Sequence, residues 1–125
     1  ICTGGNSQLN AVAGELVNTV TGGSLTINSL GNASPYPGTI SVSGVPGAIT
    51  NLKVTITNLT HAFPVDIDMV LFGPTGAHSI IFTDAIGGSG GITNRTYTFQ
   101  VGAPALPTSG FPASGTYGVA GSSYN

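Results

Sequence analysis

Short runs in which β-branched and polar residues alternate, each closed by a glycine, proline or asparagine cluster, dominate this sequence. That pattern confines the fold to an all-β sandwich or barrel built from many short strands. The clearest run is 51–59. Leu52, Val54 and Ile56 take one face and Lys53, Thr55 and Thr57 the other, which marks a half-buried antiparallel strand. Residues 24–28 repeat it with Leu25 and Ile27, and residues 39–43 with Ile40 and Val42. A further run, 96–101, predicts burial of Tyr97, Phe99 and Val101.

The stretch 61–84 reads as a central hairpin. Over 66–72, Ile67, Met69 and Leu71 share one face while Asp66, Asp68, Val70 and Phe72 share the opposite one. Gly73-Pro74-Thr75-Gly76 supplies a turn, because proline presets its own dihedral and glycine permits positive φ. Residues 79–83 return as the partner strand. Gly87 to Gly91 is a glycine-rich loop, and from Gly102 onward the chain is mostly loop, anchored by Phe111, Tyr117 and Val119.

Residues 1–23 form a separate N-terminal arm, and residues 24–125 the β domain. In the arm Leu9, Val12, Ala13, Leu16 and Val20 recur at helical spacing, yet Gly14 and the Val/Thr run at 17–21 favour extended chain. Gly22-Gly23 closes it.

Charge is scarce. Only 5% of residues are charged, the net charge is −2, and Lys53 and Arg95 are the two basic side chains. Without a basic patch to displace counterions, nucleic acid is excluded as a partner. No run approaches the 18 or so apolar residues of a membrane span. Low charge with Ser, Thr and Asn surfaces fits an extracellular or cell-surface setting. Asn32, Asn58 and Asn94 each begin a triplet of the glycosylation acceptor type, a match that arises readily by chance in so Asn- and Thr-rich a chain. Cys2, the single cysteine, has no internal partner and is either a thiol near a frayed terminus or half of a bridge to another chain or to missing sequence.

Three of the four acids and both histidines fall within 61–84. Alternation places Asp66 and Asp68 about 6.5–7 Å apart on one side of their strand, and Asp84 lies at the end of the partner strand. Three carboxylates with loop carbonyls suit calcium, which takes six to eight oxygens in loose geometry. The competing reading leaves Asp66 capping a turn through its backbone and the other two solvated. His61 is expected at a strand end, bonded to backbone or to Asp66, and His78 exposed past a turn. Cys2, His61 and His78 lack zinc-ligand spacing. Gly87-Gly88-Ser89-Gly90-Gly91 fits the nucleophile-elbow pattern only in form, because neither His nor Asp follows Ser89. No base, nucleophile and orienting group occur together, so the chain is read as non-enzymatic.

The series His61-x-x-x-x-Asp66-Ile67-x-x-x-Leu71-x-Gly73-Pro74-x-Gly76-x-x-Ser79 resembles the signature of the P domain (Homo B domain) of subtilisin-like proprotein convertases. It is closer still to the P-like modules of bacterial secreted and cell-surface proteins. Ser34-Pro35-Tyr36-Pro37, residues 39–44 and Ile49-Thr50-Asn51 look like the start of those modules, and the likeness covers about residues 24–117. It implies a jelly-roll-like antiparallel β-sandwich without catalytic activity of its own. It also adds weight to calcium, reported among P-like modules. In convertases the module packs against the protease domain and helps it fold.

Such modules continue into further strands rich in Asn-Gly-Thr-Trp. This chain has no Trp, so the sandwich is expected to be completed by strands from another chain or from missing sequence. Unpaired edges of that kind invite strand addition. The expected function is a structural or assembly module, a subunit of a fibre or surface layer, with itself or other protein subunits as partners. The alternatives are a carbohydrate- or protein-binding module, since jelly rolls are frequent lectin scaffolds, and an accessory P-like fragment of a secreted protease.

Overall fold

The computed structural model describes residues 16–82, 90–107, 110 and 112–119. Among them the regular elements are five strands and one turn of 3-10 helix: β1 (Lys53–His61), the turn Pro64–Asp66, β2 (Met69–Phe72), β3 (His78–Phe82), β4 (Ile92–Gln100) and β5 (Gly115–Tyr117). The chain is all-β. The strands form a small open three-stranded sheet in the order β1-β4-β5 and a separate β2-β3 hairpin.

The β1–β4 ladder is the longest pairing. Lys53 faces Gln100, Val54 faces Phe99 and Ile56 faces Tyr97, antiparallel, as the alternation of 51–59 predicts. The register then slips twice. Between Ile56 and Leu59 strand β1 spends three residues on two of its partner, and between Leu59 and His61 strand β4 spends three on two of β1. The first slip is a bulge on β1 at Asn58 (φ 57°) and the second a bulge on β4 at Asn94 (φ 50°). Each extra residue adopts the left-handed conformation that asparagine tolerates better than other side chains. The two bulges cancel, so His61 meets Ile92 in the original register. The bulge on β1 also switches the phase, which puts Leu59 in the core where strict alternation would put Asn58.

Thr60 supports the second bulge. Its Oγ1 accepts the Asn94 backbone N–H at 2.9 Å and donates to Asn94 Oδ1 at 3.5 Å. On the same polar face Thr55 and Thr98 share a hydroxyl–hydroxyl bond of 3.0 Å, and Thr116 of β5 lies opposite Thr98. The other face carries the core: Leu59, Ile67, Ile81, Ile92, Tyr97 and Phe99, with Val54, Ile56, Met69 and Leu71 half-buried against it. The hairpin therefore contributes its Ile67, Met69 and Leu71 face to that core, as its sequence pattern predicts. Its turn closes through Gly73 N–H to Ala77 O at 2.7 Å, with Gly76 at φ 85°.

The structure departs from the sequence pattern at several points. The pairing of β4 with β5 is parallel, with Tyr97, Thr98 and Phe99 opposite Gly115, Thr116 and Tyr117, so the expectation of a purely antiparallel architecture is corrected. The strand begins late in β2: Pro64–Asp66 is a 3-10 turn, because Pro64 sits at its first position, where a missing N–H costs nothing. Residues 24–28 and 39–43 are not strands. Thr26 and Ser34 exchange one pair of backbone bonds of 2.9 and 2.8 Å, and among the described residues no strand pairs with 39–43. Val101, expected in the core, is 81% exposed in the turn that ends β4.

Replacing Asn58 tests the bulge. Asn58→Val should cost about 1–2 kcal/mol, the penalty for a β-branched residue held at positive φ. Asn58→Gly should stay within about 0.5 kcal/mol of the parent, because glycine meets no such penalty. Urea unfolding of the two variants measures the difference.

Candidate functional site

The expected carboxylate cluster is only partly described. Asp66 closes the 3-10 turn, donating its backbone N–H to Phe63 O at 3.1 Å, and Asp68 immediately precedes β2. Both side chains are exposed, on either side of the buried Ile67. Because Asp66 stands in a turn and not in a strand, strand alternation does not set its direction, which corrects the expectation of two acids side by side on one strand. Asp84 lies outside the described residues, as do Cys2 and Gly87 to Ser89. Among the described residues no group of three His, Cys, Asp or Glu side chains comes together. Two exposed carboxylates one residue apart offer hard oxygen ligands of the kind calcium accepts; a full shell needs Asp84 and backbone carbonyls as well.

His61 ends β1, as expected, and its Nδ1 accepts the Phe63 backbone N–H at 3.2 Å. That bond fixes the ring against its own loop and leaves it a structural role. His78, expected to be exposed, is half-buried at the start of β3. Its ring lies 5.4 Å from that of Phe72, its cross-strand partner, at an interplanar angle of 34°. Cross-strand aromatic contact accounts for its burial.

The most constrained chemistry sits on β4. Tyr97 is fully buried, its ring 6.4 Å from Phe99 and 6.1 Å from Tyr117 in tilted contacts. Its hydroxyl donates to Pro112 O at 3.0 Å, and the Tyr117 hydroxyl donates to Ala113 O at 2.8 Å. These two bonds tie the loop ahead of β5 to the sheet, joined by Thr96 N–H to Ser114 Oγ at 3.0 Å. Burial pushes the Tyr97 phenol above its ordinary value of 10.0, the positive charge of Arg95 opposes the shift, and Tyr117 adds to it. Arg95 itself stands opposite Leu59 and two residues before Tyr97, so it shares their core-facing side. Its Nε is buried without a hydrogen-bond partner. In the sequence Arg95 stands out only as one of two basic side chains. Alternation puts it in phase with Tyr97, but nothing in the pattern marks the bulge that aligns it with Leu59.

A third feature is apolar exposure. Leu25, Leu30, Tyr36, Ile40, Val42, Ile49 and Leu52 are all half or more exposed. Residues 22–25 and 38–40 do touch: a Cβ on Gly22 would lie 2.7 Å from Ile40, and one on Gly38 would lie 2.6 Å from Leu25. The two segments thereby frame a shallow recess of about 170 Å³, which holds no titratable group. No protein-family model matches the chain, and no similar curated protein or solved structure was found.

Tyr97→Phe removes the hydroxyl and leaves the Pro112 carbonyl without its donor, for a loss of about 1–3 kcal/mol. It should also flatten the alkaline limb of stability. A phenol whose folded pKa is raised stabilises fully below pH 10 and loses that contribution as pH climbs through the folded value. Thermal unfolding from pH 9 to 11.5 should show the parent falling more steeply than the variant; parallel curves would contradict the assignment.

Proposed function

We propose that this chain is a non-catalytic extracellular β module whose role is assembly, with its sandwich completed by contacts between chains. The observation that carries this reading is the row of exposed apolar side chains over 25–52, from Leu25 to Leu52. Isolated exposed apolar residues need no explanation, but a run of them on segments with strand-like alternation marks a surface awaiting a partner. The free edge of β1, nine residues long and with no strand on its outer side among the described residues, supports the same reading. An edge of that length is a template for strand addition. The P-like signature over 61–79 agrees with a jelly-roll module of this kind, and the low charge with a secreted or cell-surface location.

Self-association tests the reading. Sedimentation velocity should show assembly that strengthens with concentration. Ile40→Lys with Val42→Lys should weaken it by about tenfold or more, since each places a charge in an apolar contact. Both residues are more than half exposed, so the protomer's melting temperature should stay within a few degrees of the parent. A parent that remains monomeric at millimolar concentration would reject the proposal. Glycan binding with no self-association would favour the carbohydrate-binding alternative.

The same reading brings calcium to Asp66, Asp68 and Asp84 as a stabilising ion. Adding millimolar calcium to chelator-treated protein should raise the melting temperature by several degrees, as expected for a ligand well above its Kd. Asp68→Asn should reduce that rise. An unchanged melting temperature in the parent removes the site.

A further inference from the structure

The assembly reading leaves open which segment meets which edge, and the strand pattern narrows both. β1 lies at the edge of its sheet, with β4 as its neighbour on one side. A strand points half of its backbone N–H and C=O groups to each side. Among the described residues no strand takes those on the outer side of β1. That edge is regular only at its start: Lys53 to Ile56 keep register with β4, and the bulge at Asn58 follows Thr57. A bulge bends an edge away from a neighbour, so the usable acceptor is Lys53-Val54-Thr55-Ile56-Thr57.

Residues 39–43 are its complement. Thr39-Ile40-Ser41-Val42-Ser43 repeats the same polar–apolar order over the same length, and Gly44, at φ 70°, then turns the chain. All of these side chains are exposed, Ile40 by 53% and Val42 by 58%. No backbone hydrogen bond reaches them from the described residues. The other strand-like segment, 24–28, is already engaged, since Thr26 is bonded to Ser34 and Ile27 packs against the core.

Building on the assembly proposal, we infer that residues 39–43 of a second copy of this chain add to the outer edge of β1 as an antiparallel strand, with Ser41 opposite Thr55. In that register Ile40 lies beside Ile56, and Val42 beside Val54. Val54 and Ile56 are only half-buried against the core, and the incoming side chains complete their cover. Thr39 and Ser43 fall beside Thr57 and Lys53, on the face where Thr55 and Thr98 share a hydroxyl bond. A slip of one residue would set Ile40 and Val42 among those hydroxyls, so alternation fixes the phase. Each copy carries one donor segment and one acceptor edge, and such contacts close into rings or continue as chains.

Proline and cysteine variants of the full chain test this. Neighbouring residues of a strand turn their N–H groups to opposite sides, so either Ser41→Pro or Val42→Pro removes a bond of the intermolecular ladder. At least one of the two should weaken self-association by about tenfold or more, read by sedimentation equilibrium. The protomer's melting temperature should stay within a few degrees of the parent. In a Cys2→Ser background, Ser41→Cys mixed with Thr55→Cys should give disulfide-linked chains under mild oxidation, because opposed Cα atoms lie about 4.5–5.5 Å apart. Ser41→Cys mixed with Thr116→Cys, on the far strand of the same sheet, should not. Linkage to Thr116→Cys and not to Thr55→Cys would overturn β1 as the acceptor. A disulfide formed within single chains of the Ser41→Cys, Thr55→Cys double variant, at concentrations where it is monomeric, would overturn the second copy as donor. Association that survives both proline variants would overturn strand addition while leaving assembly intact. A parent that never associates would overturn both proposals together.

Discussion

The pairing of β1 with β4 is the interaction on which the described fold depends. It aligns Val54 and Ile56 with Phe99 and Tyr97, and so brings together the apolar side chains that the hairpin then covers. Two left-handed asparagines let this ladder bend twice and still regain its register. Without the bulge at Asn58, strict alternation would turn Leu59 to solvent and bring Asn58 inward. A one-residue phase error inverts every later side chain of a strand, and the second bulge at Asn94 prevents the same error on β4. Two of the three asparagines that begin acceptor-type triplets, Asn58 and Asn94, therefore have a conformational reason to be where they are.

Around this ladder the structure is tied by few but specific bonds. Tyr97 reaches the Pro112 carbonyl from a fully buried ring, which joins a loop ahead of β5 to the middle of the sheet. Parallel pairing of β5 follows, since a long connection lets the chain come back alongside β4 in the same direction. Aromatic contacts among Tyr97, Phe99 and Tyr117 fill the space between them. The same crowding raises the phenol's pKa and sets Arg95 close enough to oppose the shift. The packing, the raised phenol and the unpartnered Arg95 Nε thus all arise over one short stretch of β4.

Local pattern made much of this legible. The alternation of 51–57, the Gly73-Pro74-Thr75-Gly76 turn and the burial of Tyr97 and Phe99 follow from side-chain period and turn chemistry alone. What alternation does not encode is whether a strand finds a neighbour. Residues 24–28 and 39–43 have strand-like sequences, yet only Ile27 of their apolar side chains packs against the core, because a ladder needs a second backbone that the described residues do not provide there. The same limit applies to β5, where Gly115 and Thr116 carry little pattern and the position is set by Tyr117 and by bonds made elsewhere. At the acidic site, Pro64 converts the expected strand start into a 3-10 turn, so Asp66 leaves the row that Asp68 was expected to share.

On the assembly proposal, the β1–β4 ladder is the self-sufficient part of the protomer and residues 39–43 are a strand that gains its partner only between chains. Amide hydrogen exchange, measured at dilute and at assembly-promoting concentrations, separates these states directly. Amides bonded within the β1–β4 ladder should be the slowest to exchange at both concentrations. Residues 39–43 should exchange fast when dilute and become protected only on assembly. Slow exchange at 39–43 in the dilute protomer, or fast exchange in the β1–β4 ladder, would contradict it.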